Sequence, residues 1–195
     1  MAITAQDKIL HVANQLGLTS LKNMQATTGA VYDSHSLPSS SYIEFFKNVN
    51  QKTWPDTNIS SNQFQVNEAL LIESISITGM TEGTTPGTYV NSSVGGQAYF
   101  FTYEIVIGNK TVVKTQKIRW GMASMPGNQG LAAQGAWMEG VGILIPPQVE
   151  FQVNVQAWNT SGTLAVQPWA GGDGIPNLVC VLYGTQVLLD LNTSL

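Results

Sequence analysis

The sequence contains AYFFTYEIVI at residues 98–107 and KTVVKTQKIRW at residues 110–120, joined by Gly108-Asn109. Aromatic and β-branched residues dominate both runs, and such residues favour β-strands. Glycine and asparagine accept the positive φ angles of a two-residue turn between strands. The segment therefore predicts a β-hairpin of two adjacent antiparallel strands.

Further strands are predicted on both sides of this hairpin. Residues 149–156, VEFQVNVQ, alternate between apolar and polar side chains, which is typical of a half-buried strand. The segments 79–96, 121–135 and 157–176 contain several Gly and Pro residues and are predicted as long loops. Roughly seven to nine strands with turns between them predict an all-β antiparallel sandwich. The other strand candidates are residues 42–46, 63–77, 140–145 and 177–191, the last broken at Gly184.

Residues 4–17 are predicted as the helix of the chain. Thr4 and Asp7 have the spacing of a capping box, and Gly17 is suited to end the helix. The polar segment 19–41 lacks clear periodicity and is interpreted as an irregular arm or long connection. We therefore expect an N-terminal helix and arm over residues 1–40 and a β domain over residues 41–195. The apolar residues at helical spacing are Ile9, Leu10, Val12, Ala13 and Leu16.

Two roles stay open for this N-terminal arm. Its amphipathic helix suits docking on a neighbouring subunit or on a membrane surface, such as an internal membrane. It equally suits packing on its own domain, because the helix has few of the basic residues that would favour binding to lipid. The sequence does not distinguish these roles.

The composition points to assembly. Only 10% of the 195 residues are charged, whereas an ordinary soluble domain carries about 25%. No apolar stretch approaches the roughly 20 residues of a spanning helix. Because a monomer normally uses mixed surface charge to stay soluble, we expect much of the surface to be covered by other subunits in a homo-oligomer. The net charge of −4 gives no support for specific nucleic-acid binding.

The residues with reactive side chains form no recognisable catalytic or metal-binding motif. His11, His35 and the single Cys180 cannot supply the four ligands of a structural zinc site. Cys180 lies in an apolar run, which predicts a buried, inert thiol and fits a reducing cytoplasm. Glu73 and Glu104 lie in predicted strands and could face each other, but no motif connects them, so an acid–base pair is not expected. We therefore expect no catalytic, cofactor-binding or metal-binding residues, and a protein that is not an enzyme.

Three segments of the β region follow one another in a distinctive order. FFKNV at residues 45–49 leads through DTN at 56–58 to QFQVNEALLIESI at 63–75. LIPPQVEFQV at residues 144–153 places two prolines before an alternating strand, and LYG at 182–184 lies in the last apolar run. This order resembles the jelly-roll capsid proteins of tailless icosahedral bacteriophages. The resemblance covers residues 41–191 and lies in the pattern, not in an invariant motif.

The resemblance implies a single eight-stranded jelly roll, because the double jelly rolls of this family are usually longer than this chain. It also implies a non-enzymatic virion structural protein, either a penton subunit at a vertex or a minor or small capsid protein. Such a subunit would be made in the host cytoplasm and assembled with itself and with other capsid proteins.

Two alternative functions are kept. A carbohydrate-binding β-sandwich, such as a virion spike or a lectin-like module, would use exposed tryptophans to stack on sugars, although core or interface positions are the commoner use of tryptophan. A sandwich-fold hydrolase would need carboxylates that converge in a cleft. The tryptophans are Trp54, Trp120, Trp137, Trp158 and Trp169.

Overall fold

A computed structural model describes residues 4–18, 24–36, 42–82, 89–91, 100–115, 118–119, 136–137, 142–158 and 177–189. One helix, α1 (Ala5–Leu16), precedes the strands, and a short 3₁₀ turn spans Val49–Gln51. The strands are β1 (Gln25–Ser36), β2 (Tyr42–Phe45), β3 (Glu68–Glu82), β4 (Tyr89–Asn91), β5 (Phe100–Ile107), β6 (Lys110–Lys114), β7 (Ile118–Arg119), β8 (Ala136–Trp137), β9 (Ile143–Ile145), β10 (Phe151–Trp158) and β11 (Asn177–Leu188).

The strands form two antiparallel sheets, as the sequence predicts for an all-β sandwich. In sheet 1 the order is β1-β11-β3-β4, and β8 and β9 also pair with β3. In sheet 2 the order is β2-β10-β5-β6, and β7 also pairs with β5. The described residues contain more strands than the seven to nine expected, because β4, β7 and β8 are only two or three residues long.

The main core lies between the two sheets. Alternate residues of β10, namely Phe151, Val153 and Val155, are buried in it, which confirms the predicted half-buried strand. The ring of Phe151 stacks on Phe64 with centroids 5.4 Å apart and contacts Phe46 at 5.2 Å. Core residues come from strands of both sheets, so the packing of alternate apolar side chains holds the sandwich together.

The predicted hairpin is confirmed by β5 and β6. Gly108 takes a positive φ of 61° in the turn between them. The register shifts between Ile105 and Val106, which marks a β-bulge in this ribbon. β7 then pairs with the beginning of β5, so residues 110–119 supply two short strands instead of one.

The last apolar run forms one strand, β11, and not two. Its register with β3 changes between Tyr183 and Gly184, and Glu73 is the extra residue on β3 at that point. A Cβ atom at Gly184 would overlap the carbonyl oxygen of Leu71. The predicted break at Gly184 is therefore a bulge that requires glycine, within a continuous strand.

Several sequence predictions are wrong in part within the described residues. The predicted loop 79–96 includes the end of β3, which continues to Glu82, and the strand β4 that pairs with it. The predicted irregular arm includes β1, which pairs with β11 along all twelve of its residues. The sequence pattern does not predict β1, because most of its side chains are small or polar and apolar residues do not alternate along it. The predicted strand 63–77 begins only at Glu68, and Ala157 and Trp158 of the predicted loop 157–176 belong to β10. The rest of that loop and the predicted loop 121–135 lie outside the described residues.

The free edge of β1 is paired with the segment 52–58. The carbonyl of Asp56 accepts the backbone N–H of Ser34, and Lys52 Nζ donates to the carbonyl of Ser34. The Asn58 amide accepts from the N–H of Tyr32 at 2.8 Å and donates to the carbonyl of Ala30 at 2.7 Å. Thr57 Oγ1 donates to the carbonyl of Tyr32. Side chains and the backbone carbonyl of Asp56 thus take the place of a neighbouring strand along residues 30–34 of β1.

Helix α1 packs on the outer face of sheet 1. The predicted capping box is present between Thr4 and Asp7, and Gly17 ends the helix with φ 70°. Lys8 Nζ lies 2.6 Å from Glu73 Oε1. The helix thus packs on its own domain, which is one of the two roles left open by the sequence. No helix in the described residues is long and apolar enough to cross a membrane. The buried residues of this second cluster are Val12, Ala69, Leu71, Val187 and Leu189.

Candidate functional site

The outer face of sheet 2 carries the candidate site. Strand alternation turns Tyr103 and Ile105 of β5 and Val153 and Val155 of β10 into the core, so the residues between them face outward. This face bears a groove of about 180 Å³, which we call the sheet-2 groove. Its lining residues are Tyr42, Thr102, Tyr103, Glu104, Lys114, Asn154, Gln156 and Trp158.

A ladder of hydrogen bonds forms one wall of the groove. Asn154 lies directly opposite Glu104 in the register, and its Nδ2 donates to Glu104 Oε1 at 3.0 Å. Gln152 Nε2 donates in turn to Asn154 Oδ1 at 3.1 Å. Lys114 Nζ lies 3.9 Å from Glu104 Oε2. Cross-strand pairing brings these side chains together, so their positions are set by the sheet.

Two aromatic side chains also line the groove. The indole Nε1 of Trp158 donates to Thr102 Oγ1 at 3.1 Å, which holds the half-buried ring in one orientation. Tyr42, on the edge strand β2, is 41% exposed. Burial raises the pKa of the Tyr42 phenol, and the carboxylates of Glu44 and Glu104 raise it further. The phenol is therefore neutral at physiological pH and able to donate a hydrogen bond.

The charges of this face lie in oppositely charged pairs. Lys47 Nζ lies 2.7 Å from Glu44 Oε1, and Lys114 lies beside Glu104. The groove consequently combines apolar ring surface, amide groups and a carboxylate with little net charge. In the described parts of the chain, no group of three or more His, Cys, Asp or Glu side chains could hold a metal ion.

A second cluster of polar side chains is buried at the junction of β1 and β2. The Asp33 carboxylate is fully buried, lies 2.6 Å from Lys52 Nζ and accepts the backbone N–H of Phe46 at 2.8 Å. His35 Nε2 lies 3.1 Å from the carbonyl oxygen of Glu44 and 3.7 Å from Asp33 Oδ2. Burial lowers the pKa of His35 and the Lys52 charge lowers it further, against the opposite influence of Asp33 and Glu44. These contacts connect β1 with the turn after β2 and suit a structural role.

The residues singled out from the sequence lie in separate places. Glu73 bonds Lys8 and Thr185 on the outer face of sheet 1, whereas Glu104 lies on the outer face of sheet 2. The two carboxylates therefore do not form a pair. Cys180 is a buried free cysteine, as predicted, and burial together with the Asp33 carboxylate raises the pKa of its thiol.

The tryptophans are divided between surface, groove and strand. Trp54 is 79% exposed, whereas Trp158 lines the sheet-2 groove. Trp137 lies in β8, opposite Ser74 of β3. Trp120 and Trp169 lie outside the described residues.

Reasoning from sequence missed the sheet-2 groove as a unit. The groove needs the registers of β2, β5 and β10, which align Gln156 with both Tyr42 and Thr102. The available signal was the polar set of the alternating strand, Gln152, Asn154 and Gln156, which faces outward when the apolar set is buried.

Comparison with protein families, with curated proteins and with solved structures finds no match to this chain.

Proposed function

We propose that this chain is a virion structural protein: a single eight-stranded jelly roll that assembles with itself and with other capsid proteins. Its place in the particle is a penton at a vertex or a minor capsid position, and it is made in the host cytoplasm. It acts through subunit contacts and not through catalysis.

The order of strand pairing is the observation that carries this proposal. Strand β3 pairs with both β4 and β9, which are three residues long each. If β9 is taken as its neighbour and β4, β7 and β8 are set aside, eight strands stand in the orders β1-β11-β3-β9 and β2-β10-β5-β6. Successive strands of this set change sheet at every connection except the β5–β6 hairpin. Neighbours in each sheet therefore come alternately from the two ends of the chain, as expected when two Greek keys wrap into a jelly roll.

The character of the surface supports assembly. Lys8, Lys47, Lys52 and Lys114 all lie within 4 Å of a carboxylate, so half of the eight basic residues are already paired. The surface then consists largely of uncharged polar groups with apolar side chains among them, and such a surface loses little solvation when a neighbouring subunit covers it. The exposed large apolar residues are Leu10, Tyr42, Trp54, Val66, Val112 and Tyr183.

The molar mass of the purified chain in solution tests the proposal. Light scattering across a concentration series should give a closed assembly, and a pentamer would favour the vertex position. Because the contacts are mostly uncharged, the mass should stay constant from about 0.01 M to 1 M salt, over which the Debye length falls from about 30 Å to about 3 Å. A monomer at every concentration, even when mixed with the other capsid proteins, contradicts the proposal.

A further inference from the structure

We propose that the sheet-2 groove binds a neutral saccharide, with one sugar ring against Tyr42 and Trp158 and its hydroxyls bonded to the Glu104 carboxylate, which the buried Asn154 amide holds in place. This inference does not depend on the capsid function, because it follows from the groove alone.

The first argument is the chemistry of the lining. Ligand sites commonly combine aromatic surface with a few convergent polar groups. A sugar ring presents apolar C–H groups on its faces and hydroxyls at its edge, so it can use both kinds of surface in this groove. Tyr42 and Trp158 supply the aromatic surface, and Gln156 and Glu104 supply the polar groups.

The second argument is preorganisation. The Asn154–Glu104 bond and the Trp158–Thr102 bond hold these side chains in place before a ligand arrives. A carboxylate has about four lone-pair positions. Glu104 can therefore accept hydroxyl hydrogen bonds in addition to those from Asn154. Groups fixed in this way add affinity, because less conformational freedom is lost on binding.

The third argument is charge. Lys114 and Lys47 offset the carboxylates of Glu104 and Glu44 on this face. A charged sugar acid would give up ionic hydration and find no unpaired cation in the groove, because Lys114 lies beside Glu104. A neutral sugar would lose no ionic hydration. The charge balance therefore favours neutral hexoses and N-acetylhexosamines.

The fourth argument is size. The groove measures about 180 Å³, whereas sites for drug-sized ligands are about 300–1,000 Å³. It therefore suits a single ring, with any further sugar units projecting into solvent.

The experiment is a titration of the full-length protein with glucose, galactose, mannose, N-acetylglucosamine and sialic acid, together with a glycan array. Saturation-transfer NMR measures binding, and tryptophan fluorescence reports on the environment of Trp158. At least one neutral sugar should bind more tightly than sialic acid. Glu104→Gln keeps an acceptor for Asn154 and therefore the ladder, but it should weaken sugar binding about tenfold because a charged acceptor is lost.

Matched controls separate the groove from its surroundings. Glu44→Gln removes a carboxylate from the same face, outside the groove, and should leave affinity unchanged. Trp158→Leu should abolish both binding and the fluorescence change, whereas Trp54→Leu, at an exposed site outside the groove, should preserve both. Circular dichroism checks that each variant folds. If Trp158→Leu does not fold, the sugar affinity of Glu104→Gln tests the proposal.

Three outcomes overturn the proposal. The first is that no sugar of the titration or the array binds. The second is that binding is equal in Glu104→Gln and the unchanged protein. The third is tighter binding of sialic acid than of any neutral sugar. The mass measured by light scattering is independent of these results, so failure here leaves the capsid proposal standing.

Discussion

At the scale of single residues, Asp33 connects several parts of the chain. Its buried carboxylate accepts the N–H of Phe46 and lies beside Lys52, which also donates to the carbonyl of Ser34. Phe46 has a φ of 67°, which is unusual for a residue other than glycine. The strain is tolerated because Asp33 holds the backbone of Phe46 while its ring is buried against Phe151.

Replacing Lys52 tests this cluster. Lys52→Met should lower the free energy of unfolding by about 3–5 kcal/mol, because a buried carboxylate loses its partner. The exposed pair of Glu44 and Lys47 provides the control, and Lys47→Met should cost less than about 1 kcal/mol. Urea unfolding at pH 7 measures both. Equal losses in the two variants would show that Asp33 does not depend on Lys52.

His35 makes the stability depend on pH. Burial and the Lys52 charge lower its pKa, while Asp33 and Glu44 oppose this effect. The unfolded chain therefore binds more protons just below the ordinary histidine pKa of about 6.5. It follows that the free energy of unfolding falls as the pH falls from about 6.5 toward the lower pKa of the folded protein.

The measurement is urea unfolding at several pH values between about 7.5 and 5.5, on either side of the ordinary histidine pKa. His35→Gln should flatten the pH dependence in this interval. An unchanged slope in His35→Gln would assign the pH dependence to other groups.

At the scale of elements, the bulge between β3 and β11 explains a sequence pattern that simple alternation does not fit. Leu70 and Ile72 face the core, and so do Ile75 and Ile77. The first pair has even residue numbers and the second pair odd ones, so the four residues could not share one face of a regular strand. The extra residue Glu73 shifts the phase by one and lets both halves of β3 bury their apolar set. The side chain of Glu73 meanwhile reaches Lys8 and Thr185 on the outer face.

Gly184→Ala should disturb this bulge. The new Cβ would overlap the backbone of Leu71, so the strands must separate, at a cost of about 3 kcal/mol or more. Gly17→Ala is the comparison: its positive φ costs about 1–2 kcal/mol, yet no atom lies within 4 Å of the new group. Hydrogen exchange should show loss of protection along β3 and β11 only in Gly184→Ala. Retained protection there would mean that the bulge adapts.

At the scale of the whole molecule, the sequence predicted what depends on local pattern and missed what depends on partners. The helix, the hairpin and the alternating strand β10 were predictable, because capping residues, a Gly-Asn turn and strict alternation are local signals. β1 was not, because pairing with β11 and burial of the polar Asp33 hold it in place. The sheet-2 groove depends on three strands distant in the chain, so no local window contains it.

Deleting residues 1–17 tests whether α1 serves its own domain. The loss should lower the free energy of unfolding by at least about 2 kcal/mol, because the apolar contacts of Val12 with the sheet disappear. Leu10→Ser changes an exposed helix position and should leave stability within about 0.5 kcal/mol. Urea unfolding and light scattering are measured together. Unchanged stability with a reduced mass would instead make α1 a contact between subunits.

The paired edge of β1 has a consequence for how a concentrated population of these chains behaves. An open strand edge is a template on which further strands add without limit, giving ribbons and fibres. Residues 30–34 of β1 already direct their outward backbone groups to Asp56, Thr57, Asn58 and Lys52. This stretch therefore cannot seed such growth. Polymerisation by strand addition is blocked along residues 30–34. A contact that a second copy of the chain makes here uses side chains, and such contacts can close on themselves and stop at a finite size.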